Sequence, residues 1–410
     1  MSLDLSATLS QLRALVAHLR DERDDRASRL AEAVRVLERA DVGAMRRRVA
    51  ESEGRASFLA ADPLGPPGER HPAPPAPDSY CALSVDGSHI DVDRHLPVRC
   101  ALINLGGCVL TYGARPDARF FSRPRLYSAE DGLSLPDPES PGDETPLQGA
   151  LLGLKRSVDE VVELAERAQD LPPGLPAVAL IDGTLILWEL GGQAPPGGRY
   201  PPYVREYLLK DSEHGLLPAF DRLRAVAQRR RLALASYISL PGATEVVNAL
   251  RLALCTYPPD DRRAFCQHPR TDSCPCGGLH DLVDRDLFGR LLSPGERSAL
   301  FRTRSSVVRE YGEHAVCFFY LNVGQEIARV EVPQWVADDA ELVDLVHAVA
   351  LDQCRRGNGY PPVIQEAHEQ AVISAADRQE FRRLVEETLE GERLPTYTSQ
   401  KQESKRGRWV

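Results

Sequence analysis

The chain has 410 residues, enough for one large domain with appendages or for two domains. Apolar residues make up 42% and charged residues 27%, and no stretch approaches the roughly 18 uncharged apolar residues of a membrane-spanning helix. The formal net charge of −10 argues against a protein that coats nucleic acid by neutralising phosphates, but leaves room for an enzyme that admits it through a local basic channel.

The first residues, MSLDLSATLSQLRALVAHLRDE, carry Asp4 early and no basic segment ahead of an apolar one, so the sequence predicts a cytoplasmic protein without a secretory signal. Over 3–55, Leu9, Leu12, Val16 and Leu19, then Leu30, Val34 and Leu37, recur at helical spacing. This predicts an N-terminal helical arm of two or three helices over 1–60, built for core packing or for docking. Residues 61–79 contain seven prolines and read as a linker or an extended surface crossing.

From Tyr80 strand and helix signals alternate, which predicts an α/β fold over 80–395. CALSV (81–85) is a short strand running into Asp86-Gly87-Ser88. Residues 99–113 hold one or two buried strands, with Gly106-Gly107 as a bend or bulge. Residues 148–169 form an amphipathic helix. AVALI (177–181) is a strand running into Asp182-Gly183-Thr184. A helix near 215–230 leads to the strand 232–239, and Thr244 caps a helix through Leu254. Residues 315–323 and 327–333 read as a hairpin turned at Gly324. Helices near 339–355, 362–375 and 377–390 follow, and the polar, basic tail 396–410 is expected to be disordered.

Two segments share one form: a short, mainly apolar run leads into an acidic residue, a glycine and a small hydroxyl residue, at Asp86 and at Asp182. Two such strands lying side by side would put two carboxylates in one metal site, with the oxygen donors that Mg²⁺ and Mn²⁺ prefer. Such ions activate water and clamp the leaving oxygen in phosphodiester cleavage. Asp-Gly after a strand is also the commonest turn signal, so the pattern alone leaves both readings open. In GYPPVIQEAHEQAVISAADRQEF (359–381), Pro361 and Pro362 open a helix on which His368 shares a face with Ile364 and Val372. Ser88 and Thr184 read as holders of the local backbone, and Arg156, Arg302 and Arg304 as candidate phosphate contacts or solvated charges.

The ordered set VDGSHI (85–90), IDGTLI (181–186), SYIS (236–239), DLFGRLLSPGERSALF (286–301) and YPPVIQEAHEQAVI (360–373) resembles the NurA nuclease family over about residues 80–385. The resemblance implies an RNase H-like mixed sheet flanked by helices. It implies a Mn²⁺-dependent (or Mg²⁺-dependent) enzyme with single-strand endonuclease and 5′-to-3′ exonuclease activity on DNA. Its partners would be a second copy, in a homodimer, and a HerA-type hexameric ATPase that drives DNA end resection. By position, the resemblance places the catalytic aspartates at Asp86 and Asp182, and the family's tyrosine and histidine at Tyr360 and His368. A glutamate on the preceding helix falls on Glu160, with Glu163 and Asp159 as competitors. Asp86, Asp182 and Glu160 would hold the metal. His368 would ligate a second ion or protonate the leaving oxygen, since imidazole titrates near neutrality. Tyr360 would orient a phosphate or stack on a base.

An odd count of nine cysteines argues against a disulfide framework. Cys81, Cys100, Cys108, Cys317 and Cys354 lie in apolar runs and are expected to be buried. Cys255, Cys266, Cys274 and Cys276 cluster in an insertion (255–280), as for a structural Zn²⁺ site or an iron–sulfur cluster, with reduced surface thiols as the alternative. Two other readings of the whole chain stay open: a non-catalytic DNA-binding scaffold of this fold, and a nuclease of this fold used in anti-phage defence.

Overall fold

The structure is a computed structural model that describes residues 4–93, 96, 98–191, 199–258, 260 and 276–394. Its chain forms two compact units. One comprises Met1–Ala73, Ile238–Arg309 and Ala315–Glu331; the other comprises Pro74–Tyr237, Glu310–His314 and Val332–Val410. The tail 396–410 and the cysteines Cys266 and Cys274 lie outside the described residues.

The second unit is built on a five-stranded mixed sheet. Its strands lie in the order Leu232–Ile238, Ala177–Asp182, Tyr80–Ile90, Cys100–Tyr112 and Asp117–Ser128. The three strands that come first in sequence form an antiparallel meander. The two later strands add in parallel on the other side of Tyr80–Ile90, which makes that strand central. Parallel pairing needs a crossover, and here it includes the helix Ala150–Arg167. Leu151, Leu154, Val158, Val161 and Ala165 form its buried stripe. The mixed sheet flanked by helices expected from the sequence is present.

The central strand is longer than the sequence suggests. It does not end at Asp86-Gly87 but continues to Ile90, paired residue for residue with its antiparallel neighbour. The glycines that look like turn or bulge signals are instead points of close approach. Gly106 lies opposite Asp86 in an unbroken ladder. A Cβ on Gly106 would sit 2.1 Å from the backbone nitrogen of Ala371, at the end of the helix Pro362–Ala371. A Cβ on Gly87 would sit 2.8 Å from Glu160 Oε1 and 2.9 Å from Arg156 Cγ, on the helix Ala150–Arg167. Because side chains alternate along a strand, these contacts place one helix on each face. The Pro362–Ala371 helix shares the face of Asp86, and the Ala150–Arg167 helix lies on the other.

In the first unit, Leu5–Arg39, capped by the Asp4 carboxylate, and Val42–Glu51, capped by the Asp41 carboxylate, form two helices over the arm, as the sequence predicts, the first of them long and unbroken. The C-terminal half of that long helix buries Leu30, Ala33 and Leu37 in a core with Met45, Val49, Leu250, Leu287 and Phe288, whereas Leu9, Leu12 and Val16 are exposed. The proline-rich stretch supplies two very short strands, Asp62–Pro63 and Arg70–His71, which pair with Phe301–Arg302 and Arg297–Ser298. Val316–Asn322 and Ile327–Pro333 are neighbouring strands, with Gly324 at positive φ in the turn between them. Thr244 does precede the helix Glu245–Leu254, but its side chain makes no cap bond. The cap comes from Asp284, whose carboxylate accepts from the backbone nitrogens of Val246 (3.1 Å) and Val247 (2.8 Å). Cys81, Cys100, Cys108, Cys317 and Cys354 are buried as expected.

The close approach at Gly106 gives a direct test. Gly106→Ala should destabilise the protein by about 1–3 kcal/mol in urea unfolding, because the methyl group meets backbone rather than a yielding side chain. Gly153→Ala, in a helix interior with nothing within 4 Å of its added Cβ, should be neutral or stabilise by up to about 1 kcal/mol.

Candidate active site

Asp86 and Asp182 come from neighbouring parallel strands. The register runs from Cys81↔Ala177 to Ser84↔Leu180, so two residues further on Asp86 and Asp182 are level and point to the same face. The two carboxylates are close enough for the charge of Asp86 to act on Asp182. Asp182 carries a raised pKa. Burial is the main cause, the Tyr360 hydroxyl opposes it, and the negative charge of Asp86 adds to it.

His368 and Tyr360 reach these carboxylates from the same side. His368 lies on the helix Pro362–Ala371, and its Nδ1 is 2.7 Å from Asp86 Oδ2. The His368 side chain is 58% exposed while that of Asp86 is 16% exposed, so the imidazole leads from a sheltered carboxylate towards open solvent. Tyr360, just before that helix, donates its hydroxyl to Asp182 Oδ1 at 2.9 Å. Its ring stands edge-on to that of buried Tyr237 at 5.6 Å. The helix itself is tied down at its C-terminal end, where orphan carbonyls need donors. Ser88 Oγ donates to the Ala371 carbonyl at 2.7 Å, and Asn104 Nδ2 donates to the same oxygen at 3.0 Å. Ser88 thus holds backbone, as the sequence predicts, though the backbone it holds is that of the histidine-bearing helix. Thr184 Oγ1 accepts from the Ile186 nitrogen and shapes the turn after Asp182.

The three acidic candidates on the helix Ala150–Arg167 have different surroundings. Asp159 is held by Lys155 and accepts from the Tyr127 hydroxyl. Glu163 is held by Arg123 (2.8 Å) and Arg167 (2.7 Å). Glu160 is turned towards the central strand, in the space that Gly87 leaves open. Its pKa is pushed up to about 8, first by burial and then by the charges of Asp86, Asp159 and Asp182, with Arg156 opposing. Its Oε1 is buried and accepts no hydrogen bond. Arg156 donates to the Gly87 carbonyl instead of projecting as a free phosphate contact. Arg304, in the other unit, is taken up by Asp62 and Glu53. Sequence reasoning missed Asn104 and Tyr237, whose roles come from partners distant in sequence.

Among the described residues, no three His, Cys, Asp or Glu side chains are arranged as a ready metal cage. Asp86 and Asp182 are engaged by His368 and Tyr360, and Glu160 approaches from the other side of the central strand. The chemistry of the group nevertheless fits a hard divalent cation: three carboxylates within electrostatic reach, and one buried oxygen without a hydrogen-bond partner. In the first unit, Cys255 and Cys276 are buried together against Leu254 and Tyr257. No helix among the described residues is long and apolar enough to cross a membrane.

The mixed sheet thus carries Asp86 and Asp182 on two neighbouring parallel strands. Residues 82–373, well over half of the chain, match the NurA domain, and the chain belongs to the NurA family of nucleases. Three solved structures are similar to it. The NurA nuclease from Sulfolobus solfataricus is 12% identical with a TM-score of 0.44, over 93% of this chain and 98% of that one. An Argonaute from Aquifex aeolicus is 9% identical with a TM-score of 0.25, over 71% of this chain and 28% of that one. LC9-RNase H1, a type 1 RNase H with the type 2 active-site motif, is 13% identical with a TM-score of 0.18, over 44% of this chain and 72% of that one. No curated protein matches the chain.

The raised Glu160 carboxyl predicts a pH dependence of stability in chelator. Its folded-state value, about 8, lies above the ordinary 4.5, so the folded protein binds this proton more tightly than the unfolded chain does. The resulting stabilisation is complete below the ordinary value and is lost as pH rises through about 8. Urea midpoints measured from pH 5 to pH 9 should fall in the wild type and flatten in Glu160→Gln. Equal slopes in the two proteins would assign the effect to another group.

Proposed function

We propose that this protein is a divalent-metal-dependent DNA nuclease, with single-strand endonuclease and 5′-to-3′ exonuclease activity. We further infer that it works as a homodimer with a HerA-type hexameric ATPase in DNA end resection. The observation that supports the chemistry is the level placement of Asp86 and Asp182 beside buried Glu160. The choice of DNA, the motor and the dimer rests on family membership.

In this reading Asp86, Asp182 and Glu160 would hold a cation, Mn²⁺ or Mg²⁺, which would supply an activated water and charge neutralisation at the leaving oxygen. Asp86 fixes the orientation of the His368 ring through Nδ1, which leaves Nε2 of the imidazolium to deliver a proton to the departing alkoxide oxygen. Tyr360, braced by Tyr237, holds Asp182 in line through its hydroxyl and offers its ring to a base or sugar. Ser88 and Asn104 keep His368 in place by anchoring its helix.

The purified protein should cleave single-stranded DNA with Mn²⁺ or Mg²⁺, be silent in chelator, and respond to a HerA-type motor. Asp86→Asn and Asp182→Asn should reduce cleavage to background while leaving the thermal transition in place. Full activity in either variant would overturn the site, and a folded wild type inert on all DNA substrates would favour the scaffold reading.

The four cysteines Cys255, Cys266, Cys274 and Cys276 are proposed as a separate structural site for zinc or an iron–sulfur cluster, a reading supported by the burial of Cys255 against Cys276. Metal analysis of the purified protein should find zinc or iron that is lost in a Cys255→Ser/Cys276→Ser double variant. A wild type free of both metals would sink the idea.

A further inference from the structure

Arg156 lies one helical turn before Glu160 on the helix Ala150–Arg167, and its surroundings are specific. Its Nη1 donates to the main-chain carbonyl of Gly87, the residue next to Asp86. The same nitrogen lies 3.5 Å from Glu160 Oε1, an ion-pair distance but longer than a good hydrogen bond. Arg156 Nε and Glu160 Oε1 are both buried with no hydrogen-bond partner. The guanidinium thus commits its firm bond to the backbone and only its charge to the carboxylate. Gly87 is what allows this, since a Cβ there would fall within 3 Å of both side chains. Lys155, Arg123 and Arg167 on and around the same helix are spent on Asp159 and Glu163, and His368 faces Asp86 from the opposite side of the strand. Arg156 is therefore the cation that Glu160 meets in the described structure.

We propose that Arg156 is the internal counter-ion of the carboxylate cluster: pinned to the Gly87 carbonyl, it positions Glu160 beside the central strand and opposes the incoming divalent cation, so that it sets how much cation the site requires. This rests on the reading that Asp86, Glu160 and Asp182 are cation ligands. A fixed positive charge within a few ångströms of a cation site lowers the affinity of that site, because like charges repel strongly where water is excluded. The same charge offsets part of the repulsion that Glu160 feels from the neighbouring aspartates. Arg156 is a positioning residue and does not touch the scissile phosphate in this scheme.

The test is calorimetric titration of Mn²⁺ alone into the full-length protein, for wild type, Asp86→Asn, Arg156→Lys, Arg156→Gln and Arg156→Met. Arg156→Gln and Arg156→Met should bind Mn²⁺ more tightly, by about tenfold, while their turnover at saturating Mn²⁺ falls because Glu160 is less well held. Arg156→Lys, which keeps the charge, should stay close to wild type in affinity. Simple structural damage moves affinity the other way, so unchanged or weaker binding in both neutral variants overturns the proposal. Should Arg156→Met fail to fold, Arg156→Gln carries the comparison, since its amide retains a donor for the Gly87 carbonyl. If wild type binds no Mn²⁺, or Asp86→Asn binds it equally well, the cation reading fails and this inference falls with it. If wild type binds, Asp86→Asn does not, and the neutral Arg156 variants match wild type, the inference alone fails.

Discussion

Glu160 is a carboxylate taken out of water beside two others, with one arginine close enough to oppose them. Removing an ion from water costs several kcal/mol even after the protein relaxes, and nearby like charges add to that cost. An unliganded protein has two ways to bear this: keep a proton on Glu160, or hold a cation against it. The raised Glu160 pKa favours the first, and Arg156, held at the Gly87 carbonyl, supplies an element of the second.

Two glycines on the inner strands make the arrangement possible. Gly87 lets the helix Ala150–Arg167 press Glu160 and Arg156 against one face of the central strand, and Gly106 lets the helix Pro362–Ala371 press against the other. The strand is held between two helices that each come close at a glycine. Asp86 projects on the side of His368, while Glu160 approaches through the gap on the opposite side. The hydrogen bonds of Ser88 and Asn104 to the Ala371 carbonyl then fix the second helix along its axis. Small displacements of either helix would separate the acidic groups from the imidazole, which is why backbone contacts rather than long flexible side chains hold them.

Much of this was legible in the sequence because local chemistry carried it. Apolar runs ending in Asp86 and Asp182 marked the two strands, and the apolar stripe of residues 148–169 marked the helix seen at Ala150–Arg167. The proline pair before Val363 marked the start of the histidine-bearing helix. What stayed hidden depends on contacts between distant segments. Asp-Gly at residues 86–87 carries the chemistry of a turn, yet the strand continues, because the glycine is needed for a helix more than sixty residues away and not for local conformation. The choice among Asp159, Glu160 and Glu163 was open because all three lie in one helix. Their partners Lys155, Tyr127, Arg123 and Arg167 separate them only once the edge strand Asp117–Ser128 is in place. The same holds for Thr244, whose expected cap is supplied by Asp284 from another helix.

The cost of the carboxylate cluster also bears on whether the chain is an enzyme or a scaffold. A fold that only needs to bind another molecule gains nothing from three acidic groups packed within electrostatic reach of one another. Replacing buried ionic groups with apolar ones of similar size is often neutral or stabilising. Glu160 in particular faces a position where a leucine or methionine would fill the same volume without desolvating a charge. Burial of this kind is retained where a cation or a reacting group repays it. Asp86, Glu160 and Asp182 are accompanied by a histidine and a tyrosine bonded to them, with each of those residues held by further contacts. A site losing its function would be expected to shed its costliest member first, and here that member, Glu160, is in place.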